Sequence, residues 1–557
     1  MPLTRIEAKE NKRVQFKVFS GLDRRDKISD SALTEMVNMS SRAIPSLTPR
    51  EERRYIADTP DATDICTPEY TGGELTSFTG VMGGAFYYNG VCIGDGLSDG
   101  RKSIADFNGK ICIFPDKVYY DYLPDPDTGE VSNELVSMEK SLSVTGAKFY
   151  SSYDDITGEY TAYISKSGAG FDNSFSVGDS IVISDCSNDY NNTKVIKSRK
   201  QTAAAEDIVS VVADAVSSSR IDVLLYNKDG EKVTFSNVTE SGSVTLRLAI
   251  PDMDNICVHN NRLWGTADTG EYIYASKLGD CTNFYSYQGL GDDSWYSPVG
   301  TGGTFTGICS YRTAVVAFKR NCIHHIYGDA PVNFSMPKQT FGGCIDGKSI
   351  CEIGGVLYYL SQDGFAAYSG GEPYNISPQL KVRYISCAAG TNGKHYYAAA
   401  EREDGKRDVL VYTPEADVWV REDDTPFAGF CTYNGSIYGI AGGAMWRLDG
   451  GDESFEWCVV SKRFTYDVME HKGLSCMWLR MDLESDTEVR ISVSRDNEEF
   501  KLCETVRGGK GFSVYRVPVR FGKCESFRVM LEGSGGAVIH DIEITTHNGG
   551  RVYGKRK

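Results

Sequence analysis

The sequence predicts an all-β protein: a β-propeller of six or seven blades with an inserted small β-rich domain and a C-terminal β-sandwich. Three observations predict it. The chain carries 33 Tyr and 24 Phe beside 58 Gly, which couples residues that suit pleated, half-buried surfaces with the residue that makes tight turns. Its apolar-aromatic runs are short and broken by turn dipeptides such as Asn89-Gly90, whose positive φ angles fit a type I′ hairpin turn. Equivalent points near 313, 355, 393 and 434 recur about every 40 residues, the period of a four-stranded propeller blade. At 557 residues the chain exceeds a single core and should divide into roughly two to four domains.

Residues 1–70 read as an extended arm. Pro45 and Pro49 followed by Arg50-Glu-Glu-Arg53-Arg54 suit a strap over a surface. Within it, Ser31 to Met39 predicts a short helix, capped by Asp30 or Ser31 with Glu35 near its start. Residues 71–139 form the first part of the propeller, with hairpins at Asn89-Gly90 and Asn108-Gly109. The rhythm breaks at 140–247, read as a β-rich insertion in a blade connection, where a domain can be hosted without disturbing the core. Here Phe175–Ile183 reads as a strand with a Gly-Asp turn and Val244–Leu248 as a strand. Ala204 to Ser217 instead places Ile208, Val211, Val212, Ala215 and Val216 at helical spacing.

The blade pattern returns over 248–460. Its pairs include Ile256–Trp264 with Tyr272–Ser276, Thr313–Phe318 with Cys322–Tyr327, and Tyr433–Tyr438 with Ala444–Leu448. About six such units can be counted, and a blade at one end can be completed from the other. Residues 461–547 alternate without that period and fit a β-sandwich. Residues 548–557 are a basic tail.

With 59 basic and 76 acidic residues the net charge is −17, which argues against a mainly phosphate-gripping surface. Both ends are nonetheless locally basic. Arg50, Arg53 and Arg54 near the start, and Arg551, Lys555, Arg556 and Lys557 at the end, are candidate subunit-docking residues for an acidic neighbour, such as another copy of this chain. The plainer reading is solvated terminal charge. Sixteen Cys occur without a C-x-x-C pair and many sit in strand patterns, where Cys acts as a small apolar residue. Together with an N-terminus lacking a signal peptide's apolar core and no membrane-length apolar stretch, this points to reduced thiols in a cytoplasm.

Glu35-Met-Val-Asn38-Met with Pro45, Leu47, Pro49-Arg50 and Arg53-Arg54 resembles the N-terminal arm of a family of tailed-phage and prophage virion proteins. The stretch Asp254–Trp264 through Ser276–Phe284 is its most recognisable part. Phe318-Lys319 with Ile323–Gly328, Leu357–Ser361 with Gly364, and His547-Asn-Gly-Gly-Arg551 match as well. The family is similar to the propeller-bearing nozzle or packaged-DNA stabilisation proteins of short-tailed phages. The resemblance implies a virion structural protein of the tail or head-tail connector, made in the bacterial host cytoplasm. It further implies an oligomeric ring on portal-side or tail partners, with double-stranded DNA as non-specific passing cargo during ejection, no cofactor and no membrane.

Rival chemistry is sparse. His324 and His325 are adjacent on a strand, so they point to opposite faces and cannot easily share an ion with Cys322. No H-E-x-x-H, G-x-S-x-G or P-loop pattern occurs. Asp125–Glu130 and Asp154–Glu159 lack a full EF-hand ligand series and read as exposed turns. Ser361-Gln-Asp363-Gly364 and Ser494-Arg-Asp496 partly imitate glycosidase-type turns but fit hairpin capping better. The expectation is therefore a non-enzyme with no catalytic, cofactor or metal residues. The alternative is a propeller protein of the phage tail that binds or degrades host-surface glycans. Trp264, Trp446 and Trp478, with apolar strand neighbours, are expected in the core.

Overall fold

The computed structural model describes residues 11–66, 75–194, 206–267, 269–336, 339–465, 471–509, 511–519 and 522–548. Among them the secondary structure is β-strand with three short 3-10 turns and no α-helix. The chain divides into two compact units, one of residues 1–60, 351–369 and 373–557, the other of 61–350 and 370–372.

The second unit holds four of the propeller blades, each a four-stranded antiparallel meander: 62–94, 103–137, 253–298 and 305–341. Their turns carry the expected chemistry. Asn89-Gly90 has φ of 49° and 79°, and Asn108-Gly109 has 52° and 89°, the left-handed pair that lets a two-residue loop follow the strand twist. Successive blades bury one face against the next. Val81 and Phe86 of the first meet Ile111, Ile113 and Tyr120 of the second in one apolar cluster, and Trp264, Ile273 and Ala275 meet Ile308, Val315 and Ala317 in another.

Residues 140–248 form two further sheets, of three and five strands, around their own core of Phe149, Ile164, Phe171, Val211, Val223, Leu225 and Leu246. The blades on either side of this insertion still pack together. Phe107, Cys112 and Phe114 share a cluster with Met253, Ile256 and Leu263, Ser103 Oγ accepts from the Ile256 amide at 2.9 Å, and the Asn108 and Asn261 turn side chains bond at 2.6 Å. Of the Phe175–Ile183 segment the end forms strand Val182–Ser184, and Ser180 bridges Val212.

The helix expected within 204–217 is instead strand Ser210–Ser217. A bulge at Asp214, between the pairs Ala213↔Val223 and Ala215↔Asp222, inserts one residue and slips the two-residue alternation. A bulged strand then spaces its apolar residues as a helix would.

The first unit holds three blades, at 351–375, 384–421 and 429–447, the last completed by strand Arg54–Asp58. Its sandwich pairs a four-stranded sheet (Asn11–Phe16, Ala537–Asn548, Lys472–Leu483, Gly511–Pro518) with a five-stranded one (Leu33–Val37, Glu456–Ser461, Phe527–Ser534, Glu488–Arg495, Lys501–Arg507). Met477, Leu479, Met481 and Leu483 alternate inward from one sheet, Val489, Ile491 and Val493 from the other. Phe464 bridges them, with ring centroids 5.1 Å from Phe16 and 5.2 Å from Phe527.

The segment expected as a helix over 31–39 is strand Leu33–Val37, paired to Glu456–Ser461 through a bulge. Its capping signals are local, whereas Leu33 and Met36 are both buried in the sandwich, and tertiary pairing overrides a weak helix propensity.

Candidate functional site

The basic residues near the start lie where residues 38–54 cross the first unit. Met39–Ser40 pairs with Thr48–Pro49, and Leu47 exchanges backbone hydrogen bonds of 3.0 and 2.8 Å with Ile539 of the sandwich. This staple brings Arg50 and Arg53 inward. The Arg53 guanidinium donates to Glu422 Oε2 at 2.8 Å, Asp423 Oδ2 at 2.8 Å and Thr425 Oγ1 at 2.9 Å, and lies over the Phe427 ring at 5.1 Å. Burial pushes the Glu422 carboxyl above its ordinary pKa despite the pull of Arg53. Asp423, where burial acts in the same direction, is held below the usual range by Arg53 and by Thr425. Arg50 reaches Asn38 Oδ1 at 2.9 Å and Glu453 Oε2 at 3.0 Å, and stacks on Phe455 at 4.0 Å.

Both arginines are 5% exposed. Their role as a free docking patch is thus corrected: a buried guanidinium with carboxylate partners is committed to its own chain. Sequence spacing could not reveal this, because those partners lie some 370 to 400 positions away. Arg54 is exposed on the added strand of the last blade. Arg551, Lys555, Arg556 and Lys557 lie outside the described residues.

Beside Arg50 opens a cavity of about 810 Å³. Its walls are the 42–52 segment, the 450–455 connection and two sandwich loops at 484–486 and 534–536. The loops approach closely because they are glycine-rich: a Cβ on Gly536 would stand 2.2 Å from the Glu484 carboxyl carbon, and one on Gly451 2.0 Å from Arg53 O. Glu51, Glu52, Asp452, Glu453, Glu484 and Asp486 line it against only Arg42 and Arg50. Arg42 pairs with Glu51 and Arg50 with Glu453, so four carboxylates are in formal excess. An anionic concavity of this size favours a cationic partner and repels phosphate.

A second feature is the outer face of the four-stranded sheet. Trp478, expected in the core, is 36% exposed there, with Phe512 and Val514 at 60% and 54%. Arg516 lies over the Trp478 ring at 5.7 Å and His540 beside Phe512 at 5.4 Å. The alternation of Lys472–Leu483 explains the correction: Met477 and Leu479 take the inner face, so Trp478 must take the outer one. Trp264 is buried and Trp446 half-buried.

His324 and Cys322 share a face, with Sγ 3.7 Å from Nε2, and Thr301 Oγ1 lies 2.8 Å from the same nitrogen. Burial and the nearby Lys319 lower the His324 pKa to about 4. Among the described residues no group of three or more His, Cys, Asp or Glu is placed to hold a metal ion, and no helix is long and apolar enough to cross a membrane. The Asp125 and Asp154 segments are hairpin turns, each aspartate accepting two backbone N–H groups at 2.8–3.2 Å. Ser361 Oγ closes its turn by donating to Gly364 O at 2.7 Å.

No family model matches the chain, and no curated protein matches it. Among solved structures it is similar to an exo-β-1,3-galactanase from Phanerochaete chrysosporium, at 10% identity and a TM-score of 0.21 over 52% of this chain and 95% of that one. It is also similar to a mutant of a family 29 carbohydrate-binding module, CBM29-2, at 17% identity and a TM-score of 0.13 over 22% and 75%. A chain of a mitotic checkpoint complex gives 7% identity and a TM-score of 0.28 over 64% and 92%. At such scores no ligand or activity carries over.

Proposed function

We propose that the chain is a non-enzymatic structural component of a phage tail or head-to-tail junction, whose copies join head-to-tail into a ring or tube that DNA passes through. The observation that carries the assembly is the acidic cavity at one end of a strand whose following sequence is basic. Ala537–Asn548 starts beside Gly536, in the wall of the acidic cavity, and ends next to the segment bearing Arg551, Lys555, Arg556 and Lys557. The strand is 12 residues long, about 36 Å at ~3.3 Å per residue. The cavity's four carboxylates in excess and the four cations in the sequence after the strand are opposite in sign and equal in number. Patches of that kind join copies heterologously, and such contacts close into rings when the rotation permits. The N-terminal arm's resemblance to phage virion proteins supplies the setting, and the −17 charge suits a wall along which DNA slides without gripping.

Negative-stain electron microscopy of the purified chain, with mass measured in solution, tests this reading. Rings with a hole of at least about 20 Å, wide enough for duplex DNA with its ~12 Å major groove, support it. Rings that persist after residues 549–557 are removed refute the docking.

One observation favours a second reading, glycan binding. Trp478 and Phe512 present exposed rings on one sheet face beside Arg480, Asp482 and Arg516, the pairing of apolar platform and polar rim that sugars require. Quenching of Trp fluorescence by host-surface oligosaccharides, abolished by W478A, would support it.

A further inference from the structure

One cavity of the first unit runs against the acidic charge of the chain. It has a volume of about 350 Å³ and sits at the hairpin joining strands Tyr396–Arg402 and Arg407–Thr413. Arg402, Lys406, Arg407 and Arg421 line it, with Asp424 as the carboxylate on its wall.

Its floor is built around Asp408, which is fully buried. Arg402 donates to both Asp408 oxygens at 2.6 Å, Arg421 Nε to Oδ1 at 2.6 Å, and the Tyr384 hydroxyl to Oδ2 at 2.9 Å, while Arg24 stands 3.4 Å away. Three guanidinium groups thus share one carboxylate, and the two of them that line the cavity, Arg402 and Arg421, exceed it by one charge. Asp408 holds Arg402 and Arg421 through Nε, which fixes the planes of both forks before any ligand arrives. On the rim Lys406 and Arg407 are exposed, and Arg407 has a loose ion pair with Glu401 at 3.8 Å.

We propose that this cavity binds a phosphate-type oxyanion, with Arg402 and Arg421 as its fixed floor and Lys406 and Arg407 as its closing rim. Donors converge from three strands and a turn, which suits a tetrahedral group accepting in several directions, whereas a carboxylate is planar. Arg402, Arg421, Lys406 and Arg407 outnumber Asp408 and Asp424 by two charges, which a phosphate carrying two charges matches and a carboxylate does not. The site lies within one chain and does not depend on how copies assemble.

Calorimetry of the full chain with inorganic phosphate at low salt tests it. The expected result is one phosphate per chain with a sub-millimolar dissociation constant. The K406Q/R407Q variant, altered only at exposed positions, should weaken it about tenfold or more, the worth of one charge-assisted hydrogen bond. D424N should tighten it severalfold, a gain that a misfolded protein cannot imitate. A short duplex DNA that displaces phosphate, with a salt dependence shallower in K406Q/R407Q, assigns the site to a nucleic-acid backbone. Displacement by a phosphomonoester but not by duplex assigns it to a small molecule. Absence of binding up to about 10 mM phosphate, or equal affinity in the wild type and both variants, overturns the proposal.

Discussion

Replacing Arg53 with methionine removes the guanidinium but keeps most of the side-chain volume against Phe427. The perturbation leaves Glu422, whose side chain is 8% exposed, without the partner at 2.8 Å that offsets its burial, and Asp423 without its own at 2.8 Å. Stripping one partner from a buried pair costs about 3–5 kcal/mol, because the remaining charge is left uncompensated. With a urea slope of ~2–3 kcal/mol per molar, the midpoint of the first unfolding transition of the first unit should fall by about 1.5 M at pH 8. The loss should shrink at lower pH. Glu422 already has a raised pKa in the folded chain, and without Arg53 it rises further, so the folded state binds the proton more tightly than the unfolded one. Such a group's stabilisation is present at low pH and lost as pH rises through its folded pKa. R53M should therefore be less costly at pH 5 than at pH 8, and R53M/E422Q should recover most of the difference. A loss under about 1 kcal/mol at pH 8, or one independent of pH with no rescue by E422Q, would refute the buried-pair account and restore Arg53 as a docking residue.

Other outcomes follow from the same physics. D408N leaves three guanidinium groups around a neutral amide and should cost about 3–5 kcal/mol in urea unfolding. Arg402, Arg421 and Arg24 depress the Asp408 pKa against its burial, so its contribution is present above the ordinary carboxylate pKa and lost as pH falls through the folded value. NMR titration should find His324 neutral down to about pH 4. Between that value and the ordinary 6.5, the unfolded chain binds the proton and the folded chain does not. Stability from this residue should hence fall by up to about 3 kcal/mol as pH drops across that window, and a wild-type His324 titrating near 6.5 contradicts the buried geometry.

The propeller was legible because its signals are local. Asn-Gly turns, apolar runs and the period of about 40 residues all act within one blade, and Asn434-Gly435 adopts φ of 47° and 76° as its hairpin requires. Where the reading failed, the deciding partner was distant or the register slipped. Leu33–Val37 is a strand because Glu456–Ser461 pairs with it, and Ser210–Ser217 looked helical because of one bulge. The acidic cavity was illegible for the same reason, since segments near 50, 452, 485 and 535 meet only in the fold. Trp478 shows the finer limit: an apolar neighbourhood in sequence does not say which face of a strand a residue takes, and the alternation with Met477 and Leu479 is what placed it outside.

Docking of one copy's basic segment in another's acidic cavity is tested most directly by binding a fluorescent peptide of residues 549–557 to the chain ending at 548, followed by anisotropy. Micromolar binding at low salt that is lost in E484K/D486K and weakened as salt is raised to about 1 M, where the Debye length falls to about 3 Å, is the expected result. No binding at millimolar peptide, or binding indifferent to E484K/D486K, would contradict it.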